Sequence, residues 1–208
     1  MSMEIERDSL INKLRGEGYL KTESIIQAFN DIPRHDFVLA RDRPFAYSDY
    51  PLEIGRGQTI SAPHMVAIMT ELLDPKKTDN VLEIGSGSGY QAAILSRLVD
   101  TVVSVELETE LAKVAISNLE SLGCGNVRVI PGDGSDGYEK EAPYDKIIVT
   151  CATSQILKTW KNQLKENGVI IAPVGGYYHQ DLVKLTKKRD DFKQESHGGV
   201  VFVPLRKG

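Results

Sequence analysis

The sequence predicts an α/β fold: a doubly wound, mostly parallel sheet of seven strands with a helical extension at the N-terminus. Three observations carry this. From Val81 onward seven short apolar runs recur, and the stretches 90–98, 108–122 and 154–164 between them suit crossover helices. The first 30 residues instead show the three-to-four apolar spacing of helix faces. The composition, 41% hydrophobic and 26% charged over 208 residues, is that of a globular chain with one sizeable core.

Leu10, Ile11 and Leu14 form the first helical face, and Ile25, Ile26 and Phe29 the second, with a break at Gly16-Glu17-Gly18. Residues 42–63 then lose periodicity among Pro44, Pro51, Gly55, Gly57 and Pro63. A long irregular stretch of this kind either disorders or carries function, and Phe45, Tyr47 and Tyr50 argue for an ordered loop. The strand runs are 81–84, 101–105, 127–130, 146–149, 169–172, 182–185 and 200–203. No helical stretch separates the last two, so they are expected to pair antiparallel through a polar turn around 188–195. A single domain over 1–208 is expected, with a helical and loop portion to residue 65 and the α/β core over 66–208.

Charge and cysteine content exclude several classes. Lys and Arg total 25 against 29 Asp and Glu, and a net charge of -4 gives no reason to expect a nucleic-acid or anionic-membrane partner. No apolar run approaches the roughly 20 residues of a bilayer span, and the acidic start has no secretory apolar region, so a cytoplasmic location is expected. Cys124 and Cys151 read as free thiols of a reducing compartment, Cys151 as a small buried hydrophobe. His35, His64, His179 and His197 are scattered, and neither a metal-ligand cluster nor a serine-histidine-acid order emerges from them.

The chemistry concentrates after the first strand. Gly85, Gly87 and Gly89 form a glycine-rich turn between strand and helix, where the backbone can approach a ligand and adopt dihedrals that a Cβ forbids. The dinucleotide fingerprint requires its third glycine or alanine at the position of Tyr90, which disfavours nicotinamide and flavin. About 20 residues on, Glu106 ends the second strand, where a carboxylate can accept hydrogen bonds from both ribose hydroxyls of an adenosine. Asp133, in Gly132-Asp133-Gly134 after the third strand, is placed to accept from the adenine amine. This combination is the one class I methyltransferases use for S-adenosyl-L-methionine. The expected cofactor set is Glu83, Gly85, Ser86, Gly87, Gly89, Glu106, Leu107, Asp133 and Gly134.

Residues 57–65, with Gln58-Thr59-Ile60-Ser61-Ala62-Pro63-His64 at their centre, lie just upstream. Together with the glycine turn, Gly132–Gly134, Ala142–Asp145, Pro173–Gly175 and 199–205, they resemble the protein-L-isoaspartate (D-aspartate) O-methyltransferases in order and spacing over nearly the whole chain. The resemblance implies the class I methyltransferase fold and methyl esterification of the free carboxylate of L-isoaspartyl residues in damaged proteins and peptides, with S-adenosyl-L-homocysteine as product. It leaves D-aspartyl activity open. It implies Ser61 as the active-site residue, and Thr59, Ile60 and His64 as further cofactor-binding residues in a segment closing over cofactor and substrate. A substrate carboxylate with a pKa near 4 is already ionised at neutral pH, so the transfer needs alignment rather than a base. Ser61 ahead of Ala62-Pro63 also offers a cap for a helix starting near Pro63, a secondary reading, and both roles can coexist.

The chain departs from the family pattern at 150–153, where Thr-Cys-Ala-Thr replaces a run of alanines, and at His197-Gly198, where a larger apolar residue is usual. The alternatives are a class I methyltransferase acting on another carboxylate or small molecule, a nicotinamide oxidoreductase, and a module that only senses S-adenosyl-L-methionine. The 58–64 string argues against the first, the glycine spacing against the second, and retention of Ser61 beside the cofactor motif against the third.

Overall fold

The computed structural model describes residues 2–189 and 191–208. Helix α1 (Met3–Gly16) opens with Ser2 accepting the Ile5 N–H, and it carries Glu4 and Glu6 in its first turn and Lys13 and Arg15 in its last, complementing its dipole. It buries Leu10, Ile11 and Leu14. Helix α2 (Glu23–Asp31) buries Ile25, Ile26 and Phe29, so both apolar faces fall where the spacing put them.

The stretch 42–63 is ordered and holds more structure than a loop. Strands β1 (Leu52–Gly55) and β2 (Gln58–Ile60) form an antiparallel hairpin whose turn runs through Gly55, Arg56 and Gly57, all with positive φ. Strands of four and three residues are too short to show an alternating pattern. Helix α3 (Pro63–Leu73) follows at once, with Pro63 in its first turn, where a missing N–H costs nothing.

The main sheet comprises β3 (Asn80–Ile84), β4 (Thr101–Glu106), β5 (Val127–Pro131), β6 (Tyr144–Val149), β7 (Leu164–Gly175), β8 (Gln180–Lys188) and β9 (Asp191–Val200). Its order is β5-β4-β3-β6-β7-β8-β9, parallel from β5 to β7 and antiparallel for β8 and β9. Helices α4 (Tyr90–Ser96) and α5 (Thr109–Ser121) cross between β3, β4 and β5. Alternate strand residues feed two cores. Val81, Val102, Ile148 and Ile171 pack with α1 to α5, while Leu82, Val103, Ile147 and Ile170 pack with Tyr144 and Trp160.

Two expectations need correction. The seventh strand is Asp191–Val200 rather than 200–203, because 201–203 leave the sheet: the Phe202 N–H donates to the Gln180 side chain and the Val203 carbonyl accepts from Ala152 N–H. A polar edge strand reads as a turn in sequence, since only one side of it is paired. The third crossover is helical only over α6 (Lys158–Asn162), of which Trp160 alone is buried. Among the described residues, no helix is long and apolar enough to cross a membrane.

Candidate active site

The chain leaves β3 toward β4 and β5 on one side, and β6 opens the other half of the sheet, so the winding reverses between β3 and β6. A crevice outside the carboxyl ends of strands at such a point is where open α/β sheets hold ligands. A cavity lies there, lined by Ile84 at the end of β3 and Gly85, Ser86 and Gly87 after it, by Val105, Glu106 and Leu107 at the end of β4, and by Gly134 after β5. Thr150 and Cys151 line it after β6, and Thr59, Ile60 and Ser61 close one side.

The glycine turn is shaped from below. Gly85 (φ +94°) donates to Val105 O at 2.8 Å, and a Cβ there would meet Thr150 Oγ1 at 2.6 Å. The Thr150 hydroxyl in turn donates to Gly85 O at 2.6 Å, so the threonine that departs from the alanine pattern holds the turn in place. Gly89 (φ +93°) starts α4 against the Ala115 backbone, 3.3 Å from where a Cβ would sit. The close helix packing explains its glycine, though it does not line the cavity. From above, Ile54 of the β1–β2 hairpin reaches over Gly87.

Glu106 is 7% exposed; its Oε2 accepts the Gly87 N–H at 2.8 Å and its Oε1 the Glu108 N–H at 3.0 Å. One carboxylate therefore fixes both the glycine turn and the loop after β4 while facing the cavity. Glu83 lies beneath, wholly buried and outside the lining. It accepts a short hydrogen bond from the Ser104 hydroxyl, whose oxygen is 2.5 Å from Ser86 Oγ, while Glu83 Oε1 has no partner among the described residues. Burial pushes the Glu83 carboxyl up to about 8; the Ser104 bond offsets part of this and the Glu106 charge adds to it. Burial, with the Glu106 charge, likewise pushes the Cys151 thiol up to about 12, so it is a neutral buried group.

Ser61 lines the cavity, and among the described residues no hydrogen bond involves its side chain. It does not cap α3. The N-cap is Ala62, without a side-chain bond, and the first turn is capped from a distance by Asp49, whose Oδ1 accepts the His64 N–H at 2.9 Å. The same oxygen lies 2.9 Å from His64 Nδ1, which turns His64 toward Asp49 and out of the lining. Burial alone would raise the Asp49 pKa, but the His64 hydrogen bonds and the Lys13 contact outweigh it and hold the carboxyl below its ordinary value.

Asp133 also stands outside the lining. Its Oδ1 accepts the Ser135 N–H at 2.8 Å and its Oδ2 the Gly208 N–H at 3.0 Å. Burial acts to raise its pKa, and these hydrogen bonds, with Lys207 nearby, lower it overall. Several lining residues carried no expectation from sequence: Tyr90, Gln91 and Met69 from the helices, and the wall Val203–Arg206; Thr150 stood out only as a departure from the family's alanines at the substrate groove. Nothing in local spacing marks them. Only the 199–205 string pointed at the wall. The Tyr90 ring is set by Arg34, fully buried, which stacks 5.1 Å from it and donates from Nε to Ala46 O at 2.9 Å.

The residues present suit an adenosine bearing a sulfonium. A glycine turn meets one buried carboxylate, and the apolar Ile84, Val105 and Leu107 surround them. Comparison with known proteins agrees. The family model described as protein-L-isoaspartate(D-aspartate) O-methyltransferase matches residues 5–208. The chain is 46% identical over 204 residues to a Methanopyrus kandleri protein-L-isoaspartate O-methyltransferase, covering 96% of this chain and 90% of the relative. It is 48% identical over 198 residues to one from Pyrococcus horikoshii, covering 94% and 90%. A solved protein-L-isoaspartate O-methyltransferase superposes with a TM-score of 0.86 at 31% identity, over 95% of this chain and 65% of that one. A Plasmodium falciparum structure in complex with S-adenosyl-L-homocysteine shares the fold, with a TM-score of 0.84 at 24% identity over 96% and 98%. The seven-stranded, mostly parallel sheet is thus the class I methyltransferase architecture, and the chain belongs to the protein-L-isoaspartate(D-aspartate) O-methyltransferase family.

Proposed function

We propose that the protein uses S-adenosyl-L-methionine to esterify the free carboxylate of L-isoaspartyl residues in damaged proteins and peptides, the first step of their repair. The observation that carries this reading is the Ser61 hydroxyl, which faces the cavity while Asp49 does the capping that Ser61 would otherwise do. When bound, S-adenosyl-L-methionine supplies an electrophilic methyl group on a positively charged sulfur.

In this reading Glu106 accepts hydrogen bonds from the ribose hydroxyls, and Gly85, Ser86, Gly87, Leu107 and Gly134 surround the nucleoside, with Glu83 and Gly89 supporting the turn from behind. Asp133 accepts from the adenine amine through the oxygen that now takes the Gly208 N–H. Ser61 donates to one oxygen of the substrate carboxylate and leaves the other aimed at the methyl carbon. Thr59 and Ile60 exclude water, which favours a step in which opposite charges cancel. His64 contributes by anchoring this segment to Asp49 rather than by moving a proton. No residue has to take a proton, since the carboxylate is ionised before it binds.

We take 1–208 as one methyltransferase domain, with 1–65 covering the site and 66–208 holding the cofactor. A cytoplasmic location fits two free, buried cysteines, and a net charge of -4 argues against nucleic-acid and membrane partners. The test is incubation with labelled S-adenosyl-L-methionine and an isoaspartyl peptide. A base-labile methyl ester on the peptide is expected, and a label that stays with the cofactor would overturn the reading.

A further inference from the structure

A second cavity opens on the far side of the wall that closes the first. It is bounded by Ala152, Gln155 and Leu157 after β6, by Tyr177, and by Phe202, and it shares Pro204 and Leu205 with the cofactor-side cavity. Ser61 and Leu205 line the first cavity and Leu205 also lines the second, so the two hollows adjoin.

Above it, between β7 and β8, stand two tyrosines that the chain leaves uncovered. Tyr177 is 70% exposed and Tyr178 87%, and their rings pack edge to face with centroids 5.0 Å apart. Single exposed aromatics are ordinary on a protein surface. Here the turn that carries the pair is braced. Gln180, fully buried, donates to Gly176 O at 2.6 Å and Tyr177 O at 3.2 Å, while its Oε1 accepts the Phe202 N–H at 2.8 Å. One side chain thus ties the tyrosine turn to the segment that runs on into the shared wall. At Gly175 a Cβ would come within 2.5 Å of His179 O, which keeps the turn tight.

We propose that Tyr177 and Tyr178, with the hollow beside Pro204 and Leu205, form a subsite for an apolar or aromatic side chain of the substrate polypeptide close to its isoaspartyl residue. This rests on the methyl-transfer reading above. The occupant follows from continuity: a polypeptide advances about 3.3 Å per residue, so a chain delivering its carboxylate to Ser61 must lay neighbouring residues on the adjoining surface. A paired aromatic platform beside a hollow of mixed lining that includes Leu157, Phe202 and Leu205 rewards a bulky apolar side chain there.

The test uses isoaspartyl peptides of equal length with glycine at the two positions on either side, and a series in which one of those positions carries Leu or Phe. Wild type, the double variant Tyr177→Ala/Tyr178→Ala and the double variant Tyr177→Phe/Tyr178→Phe are compared for KM, kcat, S-adenosyl-L-homocysteine affinity and melting temperature. The wild-type KM is expected to fall about 3- to 10-fold for at least one Leu or Phe position relative to the glycine peptide. The alanine pair should erase that preference while leaving kcat, the glycine-peptide KM, product affinity and melting temperature unchanged, and the phenylalanine pair should keep it. A preference that survives in the alanine pair, or a wild type that does not discriminate, removes the subsite alone. A wild type that methylates no isoaspartyl peptide removes the parent reading and the subsite with it.

Discussion

Asp49 caps α3 from 15 residues upstream, which leaves the Ser61 hydroxyl at the cavity without a structural bond to lose. Ser61→Ala is therefore expected to lower turnover on an isoaspartyl peptide about 10- to 100-fold, the scale of one orienting hydrogen bond of about 1.5–3 kcal/mol, with the melting temperature unmoved. Single-turnover rates and thermal melts on the same preparations check this; normal turnover would remove Ser61 from the reaction. Glu106→Ala should weaken S-adenosyl-L-homocysteine binding by about 1–3 kcal/mol, read by calorimetry. Some of that loss comes from the turn itself, because Glu106 also holds the Gly87 and Glu108 N–H groups. The glycines and Glu106 were legible in sequence because their roles are local: a turn after a strand, and a carboxylate at the next strand's end. Asp49, Met69 and Gln91 were not, since each reaches the site only through tertiary folding, while Thr150 and residues 203–205 were marked only by comparison with the family pattern. Asp133 is marked in sequence by its position after the third strand, and its carboxylate accepts the Ser135 and Gly208 N–H groups.

At the scale of elements, the hairpin β1–β2 and helix α3 form one unit over the cofactor turn, joined through Thr59, Ile60 and Ser61 and pinned by Asp49. Asp49→Ala removes the cap of α3 and the His64 anchor together. It should cost about 1–2 kcal/mol of stability by denaturant unfolding, more than Ser61→Ala. The reverse ranking would return the cap to Ser61. The parallel strands β3, β4, β6 and β7 were readable because burial on both faces leaves continuous apolar runs. Strand β9 was misplaced because an edge strand that is mostly exposed carries no such run. The hairpin was missed for its brevity, although Gly55 and Gly57 marked its turn.

For the whole molecule, Glu83 links stability to pH. Its carboxyl is pushed up to about 8 in the folded protein from an ordinary 4.5, so between those values the folded chain holds a proton that the unfolded chain has lost. Stability should fall as pH rises through that window, by up to about 1.4 kcal/mol per pH unit from this group, and level off above it. Glu83→Gln, neutral throughout, should flatten the melting curve between pH 6 and 8 relative to wild type; an unchanged slope would show that Glu83 is ionised in the fold. Turnover behaves differently, because the substrate carboxylate ionises near pH 4 and no base is involved, so the rate should stay nearly flat through neutrality where folding is complete. The activity is defined by which carboxylate is methylated. The most direct measurement offers labelled S-adenosyl-L-methionine with an isoaspartyl peptide and, separately, the same peptide with a normal aspartyl residue. Base-labile ester on the isoaspartyl peptide, with the aspartyl peptide at background, is expected. Equal labelling of the two, or labelling of neither, would contradict the account.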